Sequence, residues 1–248
     1  MRIFIHPKDI EKKEGIKLNE DKSHYLISVV RLKKGDTIEI IDGKGKAYEA
    51  KISEISKGNV FVNIISEIPS DIESDLNFIL CQSILKGEKM DIVIQKTTEL
   101  GVKEIIPVIT ERCLVKKTRK IKRWQKIAEE SVEQCGRTVI PTVHEPVQFG
   151  SLFTVYCSQQ MDGFIFWEEG GLPLKDAIQR LLSSTTLHHP NTPIFIFIGP
   201  EGGLTFEEVQ LAEKHGLIRT TLGKRILRAE TAAIVSVAFV QFLLEERH

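Results

Sequence analysis

At 248 residues, with 34 basic and 34 acidic side chains and a formal net charge of zero, the chain has no global field to draw in nucleic acid or an anionic membrane, so any polyanion must meet a local patch. Hydrophobic residues at 42% and charged residues at 27% are ordinary for a folded globular protein of one large domain or two smaller ones, which excludes a disordered chain. Cys81, Cys113, Cys135 and Cys157 lie far apart without a Cys-x-x-Cys pair, which argues against a zinc site or a disulfide framework and predicts no metal. The N-terminus has no secretory apolar segment, and the longest apolar stretch, residues 232–244, is too short to span a bilayer; the expectation is a cytoplasmic protein that does not enter membranes.

The first seventy residues read as short strands around one helix. A helix is expected near residues 21–30. Strands follow over 37–42, 47–52 and 60–65, separated by the turn signals Asp42-Gly43-Lys44-Gly45 and Lys57-Gly58-Asn59. The glycines at 43 and 45 have strands on both sides, so they read as a hairpin turn and not as a phosphate loop. Together these elements suggest a small β-barrel. Residues 66–75 are polar, contain Pro69 and read as a linker.

Beyond the linker, strands alternate with helices. Residues 78–81, 105–109, 164–167, 194–198 and 220–222 are apolar strand candidates. Met90, Val93, Ile94, Thr97 and Leu100 have helical spacing closed by Gly101, and Trp124, Ile127, Ala128, Ser131 and Cys135 mark a second helix ending at Gly136. This is the pattern of a mostly parallel sheet with helices on both faces. The last helix, 230–246, is apolar nearly all round, so it must be covered on several sides; burial within the chain and a homodimer interface explain it equally well.

Two loops carry the chemistry. Ile198-Gly199-Pro200-Glu201-Gly202-Gly203-Leu204 lies between a buried strand and a helix that opens at Thr205, with Glu208 completing a capping box. Leu222-Gly223-Lys224-Arg225-Ile226-Leu227-Arg228-Ala229-Glu230-Thr231-Ala232 follows another short strand and leads into the last helix. In α/β sheets ligands bind at that edge. Glycines there allow close backbone approach and offer N–H groups, although a tight turn without a ligand has the same composition. Dinucleotide, P-loop and nucleophile-elbow motifs are absent from the chain.

These segments resemble the signature of the RsmE family, bacterial 16S ribosomal RNA uridine-N3 methyltransferases of the SPOUT superfamily. The likeness extends to Gln82, Lys86-Gly87-Glu88-Lys89-Met90, Gln95-Lys96, Glu99-Leu100-Gly101-Val102, Glu111-Arg112-Cys113, Trp124-Gln125-Lys126-Ile127-Ala128 and Glu133-Gln134-Cys135-Gly136-Arg137, so it covers essentially the whole chain. The resemblance implies an α/β protein: an N-terminal PUA-like β-barrel over residues 1–70, and a SPOUT α/β domain with a deep trefoil knot over 76–248. It also implies S-adenosyl-L-methionine as cofactor, homodimerisation, and 16S rRNA of the small ribosomal subunit as partner. Carried over by position, the cofactor pocket comprises Ile198, Gly199, Pro200, Glu201, Gly202, Gly203, Leu222, Gly223, Ile226, Leu227, Arg228 and Thr231, with Glu168 and Glu169 on a third wall.

Methylating N3 of uracil removes a proton and builds negative charge on the ring. Arg228 is the candidate for stabilising that charge, and Glu230 for accepting a hydrogen bond or the proton; a purely helix-capping role for Glu230 is the alternative. For RNA contact the candidates are Arg112, Lys116, Lys117, Arg119, Lys120, Arg123 and Arg137, with Arg2 and Arg31 on the barrel. The run 116–126 holds no acid, which favours RNA over a solvated helix face. His6 and His24 read as structural. Methylation of a ribose hydroxyl in transfer RNA, or RNA binding without catalysis, are the competing readings.

Overall fold

A computed structural model describes residues 1–155, 161–183 and 192–245; Cys157 lies outside the described residues. The chain divides into two compact units. The first comprises Met1–Glu73 and Val132–Ile140, the second Ser74–Ser131 and Pro141–His248.

In the first unit, β1 (Arg2–Phe4), α1 (Pro7–Ile10), β2 (Ile16–Lys17) and α2 (Glu20–His24) precede a π-helical turn, Tyr25–Val30. Then come β3 (Thr37–Ile41), β4 (Ala47–Ser56) and β5 (Asn59–Ile68). The sheet has five strands in the order β1-β3-β4-β5-β2; β1 and β3 are parallel and the other pairs antiparallel. Register shifts at Glu49/Ala50 and Ile52/Glu54 bend the long β4–β5 hairpin. The bend wraps the sheet round Ile3, Leu26, Ile38, Ile40, Ile52 and Val62, but β1 and β2 do not pair, so it is a half-barrel rather than a closed one. The helix expected at 21–30 is regular only to His24. After the π-helical turn it stops at Arg31, whose φ of 63° is left-handed.

Segment 132–140 belongs to this unit although it lies far beyond the linker in sequence. Val132 packs with Ile41 and Ala47, Lys44 and Val139 form an antiparallel bridge, and Glu133 accepts the Phe4 N–H at 2.6 Å. The second unit is interrupted here, where the chain returns to the first unit. Contacts so remote in sequence leave no periodicity to read.

The second unit holds β6 (Asn77–Ser83), α3 (Lys89–Glu99), β7 (Glu104–Ile109) and α4 (Ile121–Cys135), the last belonging to this unit as far as Ser131. It continues with β8 (Thr142–Val143), β9 (Val147–Gln148), α5 (Phe149–Val155), β10 (Asp162–Phe166), β11 (Leu172–Pro173) and α6 (Leu174–Leu182). Finally come β12 (Pro193–Ile198), α7 (Phe206–Lys214), β13 (Ile218–Thr221) and α8 (Ala229–Glu245). The sheet order is β11-β13-β10-β12-β6-β7-β8, with β9 also paired to β7 and every pairing parallel. Strands buried on both faces explain the unbroken apolar runs. One face packs against α3, α6 and α8 through Phe78, Leu80, Ile94, Phe164, Ile196 and Val237; the other packs against α5 and α7 through Phe149, Phe153, Ile165, Phe197 and Val209.

Two features place the site. First, β13 lies between β10 and β11, and Thr220 is opposite Phe166 on one side and Leu172 on the other. Loop 167–171 therefore steps across β13. A Cβ on Gly171 would come within 2.8 Å of the Arg219 and Thr220 backbone, so only glycine lets the loop pass so close. Second, α7 begins with the capping box expected from the sequence: Thr205 Oγ1 accepts the Glu208 N–H, and Glu208 accepts the Thr205 N–H. That fixes where turn 198–203 ends. On α8, Ala233, Ser236, Val237, Val240 and Leu244 are buried, whereas Phe239 and Phe242 are more than half exposed. The chain thus covers only part of this apolar helix.

Candidate active site

The C-terminal ends of β10, β12 and β13 open into a cavity of about 340 Å³. Its walls are turn 198–203, the segment 221–229 that leads into α8, and Phe166, Trp167 and Glu168 at the start of the crossing loop. Of the twelve expected cofactor residues, Ile198, Gly199, Pro200, Glu201, Gly203, Leu222, Gly223, Ile226, Leu227 and Arg228 line it. Gly202 and Thr231 do not. Gly202 turns the other way: a Cβ there would lie 3.1 Å from Cβ of Arg112. Thr231 is exposed in the first turn of α8. Of the expected third wall, Glu168 lines the cavity and Glu169 does not.

The glycines have distinct tasks. Gly203 has φ +72°, and a Cβ on it would lie 2.0 Å from Oε1 of Glu168, so the Glu168 carboxylate occupies the space that its missing side chain leaves. Its N–H donates to Pro200 O at 3.0 Å, closing the turn. Gly223 has φ +110° with open space around it, so it is needed for backbone conformation alone.

Charge is concentrated on one side. Glu201 Oε1 accepts the Lys86 N–H at 3.1 Å and a hydrogen bond from Lys89 Nζ at 3.2 Å. Burial of Glu201 opposes its ionisation, but backbone N–H groups and the Lys89 ammonium outweigh this and hold its carboxyl below the ordinary value. Lys89 Nζ also lies 3.9 Å from Glu230 Oε2, an enclosed oxygen that receives no hydrogen bond. Arg225, Arg228 and Lys89 bring three cations to the cavity wall. Arg228 lies just before α8, where its carbonyl accepts the Ala232 N–H at 2.8 Å. Glu230 follows in the first helical turn, which also favours its negative charge.

The two loops that line this cavity carry the motifs, and comparison with known proteins decides what they mean. Residues 72–241 match the model of an RNA methyltransferase domain, and residues 18–65 that of an RNA methyltransferase PUA domain. The ribosomal RNA small subunit methyltransferase E of Buchnera aphidicola is 35% identical over 97% of this chain and 92% of its own length. That of Synechocystis is 32% identical over 98% and 78% respectively.

The chain belongs to the ribosomal RNA small subunit methyltransferase E family.

A crystal structure of a family member from Neisseria gonorrhoeae bound to S-adenosyl methionine matches with a TM-score of 0.85 at 34% identity, over 98% of this chain and 97% of that one. A Legionella pneumophila putative methyltransferase in complex with the same cofactor matches with a TM-score of 0.83 at 32% identity. The fold of this family, a PUA-like unit followed by an α/β methyltransferase unit, is the fold described above.

Among the RNA-contact candidates the structure separates free cations from occupied ones. Lys117 and Arg119 are exposed on the segment before α4, and Arg31 is exposed after the π-helical turn. Arg112 donates to the carbonyls of Gly202 and Leu204 at 3.3 Å, bracing the glycine turn. Lys116 Nζ donates to the carbonyls of Thr110 and Glu111 at 2.6 Å, and Lys120 Nζ to that of Gly87 at 3.1 Å. Arg123 pairs with Asp91 at 2.9 Å, and Asp91 also accepts the Trp124 indole N–H. The run 116–126 is therefore not uncompensated: Asp91 of α3 pairs with Arg123, and Glu130, one turn further along α4, pairs with Lys126. Two further candidates are paired with acids. Arg137 is 4% exposed and donates two N–H groups to Glu73, which leaves it no face for RNA. Arg2 is bound to Glu39 at 2.8 Å, with about a fifth of its side chain still exposed.

His6 accepts the Lys8 N–H at the start of α1. Cys81 and Cys113 are buried thiols. Among the described residues no group of His, Cys, Asp and Glu could hold a metal ion, and no helix is long and apolar enough to cross a membrane. The sequence left Lys89, Phe166, Trp167, Thr221 and Arg225 unassigned at the cavity. Lys89 and Arg225 stand inside quoted motifs; the others carry no local signal.

Proposed function

We propose that this protein transfers a methyl group from S-adenosyl-L-methionine to N3 of one uridine in the 16S rRNA of the small ribosomal subunit. One observation carries the reading: turn 198–203 and segment 221–229, the two stretches with the family's motifs, line a single cavity at the C-terminal ends of parallel strands. A cavity of about 340 Å³ lies in the range of small-molecule sites. Ile198, Leu222, Ile226 and Leu227 give it apolar walls suited to a purine, while glycine backbone and charged side chains suit the polar ends of the cofactor.

When bound, the cofactor supplies an electrophilic methyl group on a sulfonium and leaves as a neutral thioether. The chain's own residues do the rest. A uridine in folded RNA must be splayed from its stack to reach such a cavity. The N–CH₃ bond forms as the S–CH₃ bond breaks, and the N3 proton is lost. Arg228, exposed at the mouth, stabilises the negative charge that spreads onto the uracil oxygens, and Glu230 accepts the proton. Lys117, Arg119 and Arg31 are among the exposed cations that can meet phosphates.

Three further parts of the reading concern architecture and setting. The backbone is knotted, with the chain leaving β13 passing beneath the loop 167–171; the position of β13 between β10 and β11 supports this. The protein is a homodimer that pairs through α8, supported by Phe239 and Phe242 at 53% and 58% exposure. It acts in the cytoplasm, where small subunits mature.

The test is nucleoside mass spectrometry on small subunits from cells lacking the gene, incubated with the purified protein and S-adenosylmethionine. 3-Methyluridine in 16S rRNA is the expected product. A methylated ribose, or subunit binding with no methylation, would overturn the reading. Light scattering after size exclusion tests the dimer.

A further inference from the structure

We propose that Lys89 is the counter-charge and positioning residue for Glu230, and through it for proton removal; this rests on the function proposed above. Lys89 opens α3 and its ammonium reaches both Glu201 at 3.2 Å and Glu230 at 3.9 Å. The two carboxylates depend on it unequally. Glu201 keeps the Lys86 N–H if the ammonium is lost. Glu230 does not: its Oε2 is enclosed, receives no hydrogen bond, and has Lys89 as its only ion-pair partner among the described residues. Otherwise it has the N-terminal end of α8 and a side chain 15% exposed to solvent, and a helix terminus is a weaker substitute for a full charge.

An enclosed carboxylate without a nearby cation is expensive to keep ionised. Lys89 thus supplies the counter-charge that faces the Glu230 carboxylate beside the cavity. It also ties the first turn of α8 to the glycine turn, because one ammonium serves both. The side chain lines the cavity, so the same group adds to the positive potential that a uracil anion would meet.

Lys89→Met and Lys89→Arg, each alone and with Glu230→Gln, test this. Lys89→Met should lower kcat by about a hundredfold to ten-thousandfold, the scale of general acid–base catalysis. Affinity for S-adenosylhomocysteine by calorimetry should stay within about threefold, and Lys89→Arg should recover most of kcat. In the Glu230→Gln background Lys89→Met should cost little more kcat, and its Tm loss should be smaller than in the unaltered protein. Undiminished kcat in Lys89→Met overturns the proposal. So does a matching loss of cofactor affinity, which would make Lys89 a cofactor ligand. So do equal Tm losses in the two backgrounds, which would show that Lys89 does not act on Glu230. If the unaltered protein methylates nothing, the functional reading fails by itself, and the Tm comparison still decides whether Lys89 compensates Glu230.

Discussion

Replacing Gly203 by alanine would strain the glycine turn in two separable ways. The backbone there is left-handed, with φ +72°, which costs an L-residue about 1–2 kcal/mol. The new Cβ would also lie 2.0 Å from Oε1 of Glu168, so that carboxylate has to swing away, and Glu168 lines the cavity. The turn can escape the strain by giving up the Gly203 N–H to Pro200 O bond, at the cost of its shape. Restoring that shape on binding draws the same free energy from affinity. Strain of about 1–2 kcal/mol corresponds to roughly a 5- to 30-fold weaker Kd. The assay is calorimetry with S-adenosylhomocysteine, with thermal melting as control. Gly203→Ala should bind at least about fivefold more weakly while Tm moves by only a few degrees. Glu168→Ala in the same chain should recover part of the loss by removing the obstacle. Gly223→Ala, where φ is +110° but nothing lies within 4 Å, carries strain without collision and should lose less. A Gly203→Ala protein that binds within twofold of the unaltered one would refute this account of the turn.

Arg228→Ala should abolish methyl transfer with little change in cofactor affinity; equal losses in single-turnover rate and calorimetric Kd would move Arg228 to cofactor binding. Glu73→Ala removes the carboxylate that pairs with the buried Arg137 guanidinium and that accepts the Thr138 and Val139 N–H groups, so it should destabilise the first unit by about 3–5 kcal/mol in urea titrations. Glu67→Ala, which breaks an exposed pair with Lys46, should leave the same titration unchanged. Burial of Glu73 opposes its ionisation, but Arg137 and the two N–H groups hold its carboxyl below the ordinary 4.5. Its contribution to stability is therefore complete above that pH and is lost as pH falls through the lower folded value, which urea midpoints measured down through the acid range should follow. Lys117→Glu with Arg119→Glu should weaken small-subunit binding and flatten its salt dependence, while Lys116→Ala should alter neither; equal effects would show that backbone-bound lysines also meet RNA.

Much of this protein was legible in its residues. The parallel sheet announced itself because strands buried on both faces must be apolar throughout, as in 193–198. Thr205 and Glu208 marked the start of α7 because a capping box is local chemistry. The two loops that line the cavity were legible for the same reason: Gly199, Gly203 and Gly223 answer to backbone conformation and close approach within a few residues of chain.

What the sequence could not supply depends on residues far apart along it. The half-barrel is open because β1 and β2 do not meet, and segment 132–140 joins it through Val132, Glu133 and Val139. Arg137 and Arg2 read as free cations until Glu73 and Glu39 came within 3 Å of them. Likewise, the three-way contact of Lys89, Glu201 and Glu230 joins residues more than a hundred positions apart. A side chain's type fixes its charge and its hydrogen-bonding capacity, so composition and motif suffice to say which chemistry is possible. Whether that charge faces solvent, a carbonyl or a carboxylate is settled by partners that only folding brings near.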